Sequence, residues 1–453
     1  MLSQAKFMLK SLFNSGNERS DLVKKNIIIP FGFKLISIII SLVLVPLTIG
    51  YVNKSQYGIW LTLSSLIGWF SFFDIGLGNG LKNKLAESHA LGERHVSKIY
   101  ISTTYALLLL IAATLFSIFY SLHYLINWNK VLNTNEISGS DLSIISIVVF
   151  GIFCAQFVSQ TINTVLTAYH KVTWVSLINL LSQIGCLGII LILPKNTGNS
   201  LLLLIIVLAG LPLLFQLMFG MAFFNTSFKD IAPQLNFIEL KYAKELLSIG
   251  GAFFFIQIGG LLLFQTDNIL IIQLFGPDKV TIFNIAYKLF SIIIMGFAII
   301  MTPFWSAFTD AYTKKDFNWI TRVFAKMYKY WIITAVFTAL LLLGSPLIFK
   351  LWLGSKIRIP LLLSVSMALY VIGTCWMMIH CYLLNGIGKI RIQLYLYIFS
   401  TIFNIPLGIY LGKRLGLVGI VYSNIIVLIM MGIILYVQCR KILNNSASGI
   451  WNT

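Results

Sequence analysis

Apolar residues run through this chain in long unbroken stretches separated by short polar ones. The run LLLLIIVLAGLPLLF (201–215) shows no alternation of the kind a membrane β-barrel strand needs. A helix that crosses the hydrocarbon core takes about 20 apolar residues. Twelve stretches meet that requirement, at roughly 27–49, 57–80, 99–121, 143–168, 173–193, 200–224, 248–274, 281–308, 330–349, 360–384, 392–411 and 417–438. Helices are expected throughout, because an isolated segment in lipid must satisfy its own backbone groups.

Composition narrows the class. Of 453 residues, 58% are hydrophobic and only 10% charged, against about 25% charged in a soluble domain. A soluble enzyme, a disordered chain and a disulfide scaffold are excluded, and an all-α integral membrane protein is left. The net charge of +19 would suggest nucleic acid in a soluble protein. Here it reflects cytoplasmic loops that set orientation and attract anionic membrane lipids, and no nucleic-acid partner is expected. Five scattered cysteines and five scattered histidines form no CxxC, HExxH or zinc pattern, and no phosphate loop occurs. No metal or other cofactor is therefore expected.

Orientation follows from the basic residues. With the N-terminus inside, 22 Lys and Arg fall on the cytoplasmic side and nine on the other, while Lys34 and Lys288 lie within spans. Both termini are thus expected in the cytoplasm. Residues 1–25 are not a cleavable signal peptide, and they read either as an amphipathic interfacial helix or as a disordered tail.

Two internal similarities suggest duplication. VLTAYHKVTW (165–174) parallels LLNGIGKIRI (383–392), placing Lys171 on Lys389 at an offset of 218, and YGIWLTLSSL (57–66) parallels VTIFNIAYKL (280–289) at 223. Six spans in each half is a transporter layout. The expected organisation is a cytoplasmic segment 1–25, a six-helix bundle 26–224, a cytoplasmic linker 225–247, a second six-helix bundle 248–438 and a tail 439–453. Within the linker, FIELKYAKELL reads as a short helix on the membrane surface.

Ionisable groups at membrane depth cost about 2.5–3.5 kcal/mol each on insertion scales, so they are functional candidates. Asp267 and Lys288 lie in adjacent spans and are candidates for an ion pair; Asp267 and Asp74, which closes the second span near the headgroups, are the coupling or ion-pair carboxylates. Lys34 lies about two turns into the first span, deep enough to serve a cavity or to snorkel out. Gln156, Gln160 and Asn163 share one helix face, and Gln257, Gln265 and Asn404 also interrupt apolar runs. Such groups either line a wet cavity for sugar hydroxyls or tie helices together. Lys34 and Lys288, with these six amides, form the substrate-cavity candidates.

The stretches YGIWLTLSSLIGWFSFFDIGLGNGLKNKLAE, TDNILIIQLFGPDKVTIFNIAYKL and LLNGIGKIRIQL closely resemble bacterial polysaccharide flippases of the Wzx type. The resemblance covers nearly the whole chain. It implies the fold of the multidrug/oligosaccharidyl-lipid/polysaccharide (MOP) exporter superfamily, in which two six-helix bundles form a MATE-like V around a central cavity. It also implies a cargo, an O-antigen or capsule repeat unit on undecaprenyl pyrophosphate, carried from the cytoplasmic to the outer leaflet of the inner membrane by alternating access. A polysaccharide polymerase and a chain-length regulator are implied partners; for energy, a proton or sodium gradient, the membrane potential and downstream consumption of cargo all stay open. The rival on the same fold is a cation-coupled multidrug exporter, for which Asp267 is the deep acidic candidate. A membrane enzyme fits less well: the longest outside loop, roughly 122–142, carries few ionisable side chains.

Overall fold

A computed structural model describes residues 18–70, 76–169, 171–194, 200–246, 266–354 and 357–452. Its main helices, in chain order, are α1 (Glu18–Tyr51), α2 (Lys54–Phe70), α3 (Leu77–Ala90), α4 (Arg94–Leu122), α5 (Gly139–Ser159), α6 (Thr161–Ala168), α7 (Val172–Ile192), α8 (Ser200–Ile205) and α9 (Leu211–Asn225). There follow α10 (Thr266–Phe275), α11 (Pro277–Thr313), α12 (Phe317–Leu353), α13 (Leu361–Ile387), α14 (Arg391–Leu415) and α15 (Leu417–Leu443). Ten helical stretches among the described residues are long and apolar enough to cross a membrane. The protein is a multi-pass, all-helical membrane protein. Predicted spans two and seven correspond to α2 and α10, while 71–75 and 247–265 lie outside the described residues.

Two compact units can be distinguished. The first takes the described residues within Met1–Asn53, Phe70–Asn127 and Ser138–Phe254; the second takes those within Lys54–Trp69, Trp128–Ile137 and Phe255–Thr453. The second unit therefore includes α2 from early in the sequence. In the first unit α1 packs on α7, α4 on α5, and α3 on both α4 and α6. In the second, α13 lies against α11, α12 and α15, and α14 lies against α15.

Local irregularities have causes in the sequence. The predicted sixth span is broken by a π-helical stretch, Ile206–Gly210, just ahead of Pro212. Proline has no N–H for the carbonyl four residues back, and one wide turn accommodates the loss. Within the stretch, the carbonyl of Ala209 accepts a hydrogen bond from Gln156 Nε2 of α5 at 2.7 Å. Helices α11 and α12 are 37 residues each, or about 55 Å at 1.5 Å per residue, well beyond the ~30 Å of hydrocarbon. The predicted ends at 308 and 330 mark where apolar character stops, and the helices continue past them. They meet in a tight turn with Lys315 at φ 58°, and Asp316 caps α12 by accepting from Trp319 N–H at 2.9 Å.

The segments 165–174 and 383–392 make like turns. Lys171 N–H bonds Leu166 C=O at 2.7 Å, and Lys389 N–H bonds Leu384 C=O at 2.9 Å. Both pairs span five residues at the offset of 218, so the two turns close their helices alike. Small residues allow close helix contacts where lipid gives no hydrophobic drive: a Cβ on Gly432 of α15 would overlap the Trp376 ring of α13.

Candidate functional site

The second unit holds a cavity of about 310 Å³ walled by α2, α10, α11, α13 and α15. Two polar chains meet it. In one, Asn404 of α14 donates to Asn424 Oδ1 at 2.8 Å, and Asn424 of α15 donates to Asp267 Oδ2 at 2.7 Å. In the other, Asn284 of α11 donates to Asn268 Oδ1 at 2.7 Å, and Asn268 donates to Ser65 Oγ of α2 at 2.6 Å. Ser65 gives its own proton to Leu61 C=O at 2.9 Å. Asp267 and Asn268 are consecutive on α10, so this short helix joins the chains. Tyr287 and Tyr370, packed edge to face with centroids 6.2 Å apart, complete the wall.

The chemistry centres on Asp267. It is only 6% exposed, and its Oδ1 has no hydrogen-bond partner among the described residues. A buried carboxylate with one neutral donor is poorly compensated. A proton or a hard monovalent cation would neutralise it, and the lining supplies further oxygens from Asn268, Ser65 and Asn424. No group of three or more His, Cys, Asp or Glu is placed to hold a metal ion among the described residues.

Of the sequence candidates, Asp267 and Asn404 are brought together, through Asn424. The amide of Asn424, not the ammonium of Lys288, bonds Asp267. Lys288 is half-buried one turn beyond Asn284 on α11. In the first unit, Lys34 is exposed on α1 and Gln160 is exposed where α5 passes into α6, while Asn163 is half-buried. Gln156 serves as a tie between helices. Asp74, Gln257 and Gln265 lie outside the described residues. Sequence reasoning passed over Asn424, Asn284 and Ser65. The available signal was a lone amide in an apolar run, as in YSNII, of the same kind that singled out Asn404.

Comparisons with known proteins follow the same line. The family described as polysaccharide biosynthesis protein matches residues 23–309, and the MatE family matches 252–410. A protein of Yersinia pseudotuberculosis named for O-antigen export is 25% identical over 374 residues, covering 80% of this chain and 82% of that protein. A Salmonella typhi protein named as an O-antigen transporter is 23% identical over 410 residues, covering 87% and 90%. Among solved structures, an inward-facing multidrug resistance MATE family transporter of the MOP superfamily matches with a TM-score of 0.74 at 14% identity, over 92% of this chain and 98% of that one. A MOP superfamily transporter from Pyrococcus furiosus matches with a TM-score of 0.65 at 15% identity, over 96% and 98%. At such identities the structures establish the fold and nothing finer.

Proposed function

The chain belongs to the polysaccharide biosynthesis protein family, and on that premise we propose that it flips undecaprenyl-pyrophosphate-linked oligosaccharide repeat units from the cytoplasmic to the outer leaflet of a bacterial inner membrane. The observation that carries this reading is the relation, over about four-fifths of both chains, to a protein named for O-antigen export. The physics explains the need for a protein. Unassisted flip-flop would take a charged, hydroxyl-rich headgroup across ~30 Å of hydrocarbon, where each unsatisfied polar group costs several kcal/mol. A polar path through the protein removes that barrier while the prenyl chain stays in lipid.

Alternating access is the cycle this reading entails, with both termini cytoplasmic as the basic loops require. Asp267 is the coupling residue in this scheme: proton or sodium would bind at Oδ1, which has no partner among the described residues, and bias the cycle. Such a buried carboxylate equally suits a cation-coupled drug exporter, so the test must separate cargo. Deletion of the gene is expected to remove the surface glycan and to leave undecaprenyl-linked repeat units on the cytoplasmic leaflet, with drug sensitivity unchanged. Lipid extraction with mass spectrometry, surface-glycan gels and a drug panel measure all three. An intact surface glycan together with new drug sensitivity would turn the assignment to the exporter.

A further inference from the structure

Three turns of the first unit wall a second cavity, of about 400 Å³: the α3–α4 turn, the turn after α6 and the turn after α9. This volume is typical of a small-ligand site. Its side chains are mostly polar or basic, among them His89, Arg94, Tyr169, Lys171 and Asp230. Lys171 is half-buried. Its ammonium lies 4.6 Å from the Phe228 ring centroid and 5.5 Å from that of Phe223, and no carboxylate pairs with it among the described residues. Two other lysines of the first unit are paired with carboxylates instead. Lys84 is held by Glu87 at 3.1 Å and Glu245 at 3.7 Å, and the hydrogen bond from Glu87 raises its pKa above the usual lysine value. Lys241 is held by Glu239 at 2.5 Å.

Arg94 lies across the cavity from this cation-on-ring arrangement and is 74% exposed. One of its nitrogens bonds Asp230, and a guanidinium has five N–H groups, so most of its donors remain for a ligand. The His89 ring packs against that of Tyr169 at a tilt, with centroids 4.3 Å apart. Arginine offers a planar fork and lysine a compact charge, a combination suited to phosphate oxygens. The three turns belong to the loops whose charge assigns them to the cytoplasmic side, where anionic headgroups attract basic residues.

We propose that this cavity is a binding site for a phosphate-bearing lipid headgroup. Phosphatidylglycerol-type lipid of the membrane and the diphosphate of lipid-linked cargo share that chemistry. The second source rests on the flippase reading; the first does not.

Purified full-length protein in neutral-headgroup nanodiscs, titrated with phosphatidylglycerol and separately with undecaprenyl pyrophosphate, tests the site by native mass spectrometry. Lys171→Gln is expected to weaken binding by about fivefold, and Arg94→Gln with Lys171→Gln further, in keeping with the usual worth of a basic residue near an anionic surface. Asp230→Asn is expected to tighten binding, because it removes a like charge and frees Arg94. Lys244→Gln, at an exposed position on the same side, is expected to leave it unchanged. Tighter binding of phosphatidylglycerol identifies the membrane lipid as occupant, and tighter binding of undecaprenyl pyrophosphate identifies the cargo. Binding unmoved by the Lys171 and Arg94 changes, or weakened equally by Lys244→Gln, would overturn the proposal in favour of diffuse surface attraction. The Asp230→Asn arm guards against misfolding, since a damaged protein would not bind more tightly. Because the readout is binding, failure here leaves the transport assignment standing, and failed transport leaves this site standing.

Discussion

Asp267→Asn will leave the protein folded and sharply slow its transport. The substituted amide keeps the volume of the carboxylate, and its oxygen can still accept the hydrogen bond that Asn424 now donates at 2.7 Å. What disappears is the charge, at a site where Asp267 Oδ1 has no other partner among the described residues. Removing a buried, poorly compensated charge rarely harms stability and often raises it. If that oxygen binds the coupling ion, the change removes a charge-assisted interaction of about 1.5–3 kcal/mol, or roughly a 10- to 150-fold loss in the coupled step. Asn424→Leu is the opposite perturbation: it strips the carboxylate of its donor, so a loss of about 1–3 kcal/mol in stability accompanies the loss of transport. Thermal unfolding of purified protein, set beside surface-glycan complementation in the deletion strain, separates the two variants. Full complementation by Asp267→Asn would reduce Asp267 to a structural acceptor.

The second large effect is steric. Gly58 of α2 sits so close to the start of α11 that a Cβ there would overlap the carbonyl of Pro277. The obstacle is backbone, which cannot rotate aside as a side chain would. The contact is held from both sides in the second unit: Lys54 pairs with Asp278 at 3.1 Å, and Thr281 Oγ1 donates to Lys54 C=O at 2.6 Å. Gly58→Ala is therefore expected to cost about 1–3 kcal/mol, the usual range for overpacking, and to lower both yield and unfolding midpoint. Gly373→Ala in α13 is the control, because a Cβ there meets nothing within 4 Å. It is expected to be neutral or to stabilise by up to about 1 kcal/mol through helix propensity. Equal behaviour of the two variants would show that α2 does not depend on this contact.

How much was legible beforehand differs from element to element. Ten predicted spans correspond to long helices because apolar length is a local quantity, read over one turn after another. The extensions of α11 and α12 beyond 308 and before 330 were not legible, since hydropathy reports where lipid ends and not where a helix does. The π-helical stretch before Pro212 had a visible cause, whereas the bond from Gln156 to the Ala209 carbonyl depended on α5 lying beside it. Asp267 stood out as a charge in an apolar run. Asn424 did not, although it is the group that bonds Asp267 from 157 residues away.

By itself, the sequence determined that this protein lives in a membrane, that it is helical and that segments 165–174 and 383–392 close their helices with the same turn. Each follows from transfer free energies or backbone rules that act on a few neighbouring residues. Only the tertiary structure decided that α2 joins the second unit, that Asp267 meets Asn424 and Asn404, and that Lys171 and Arg94 face one cavity. A helix apolar on all sides carries no stripe to say which face turns inward, so its partners are chosen by packing that no short window of sequence contains.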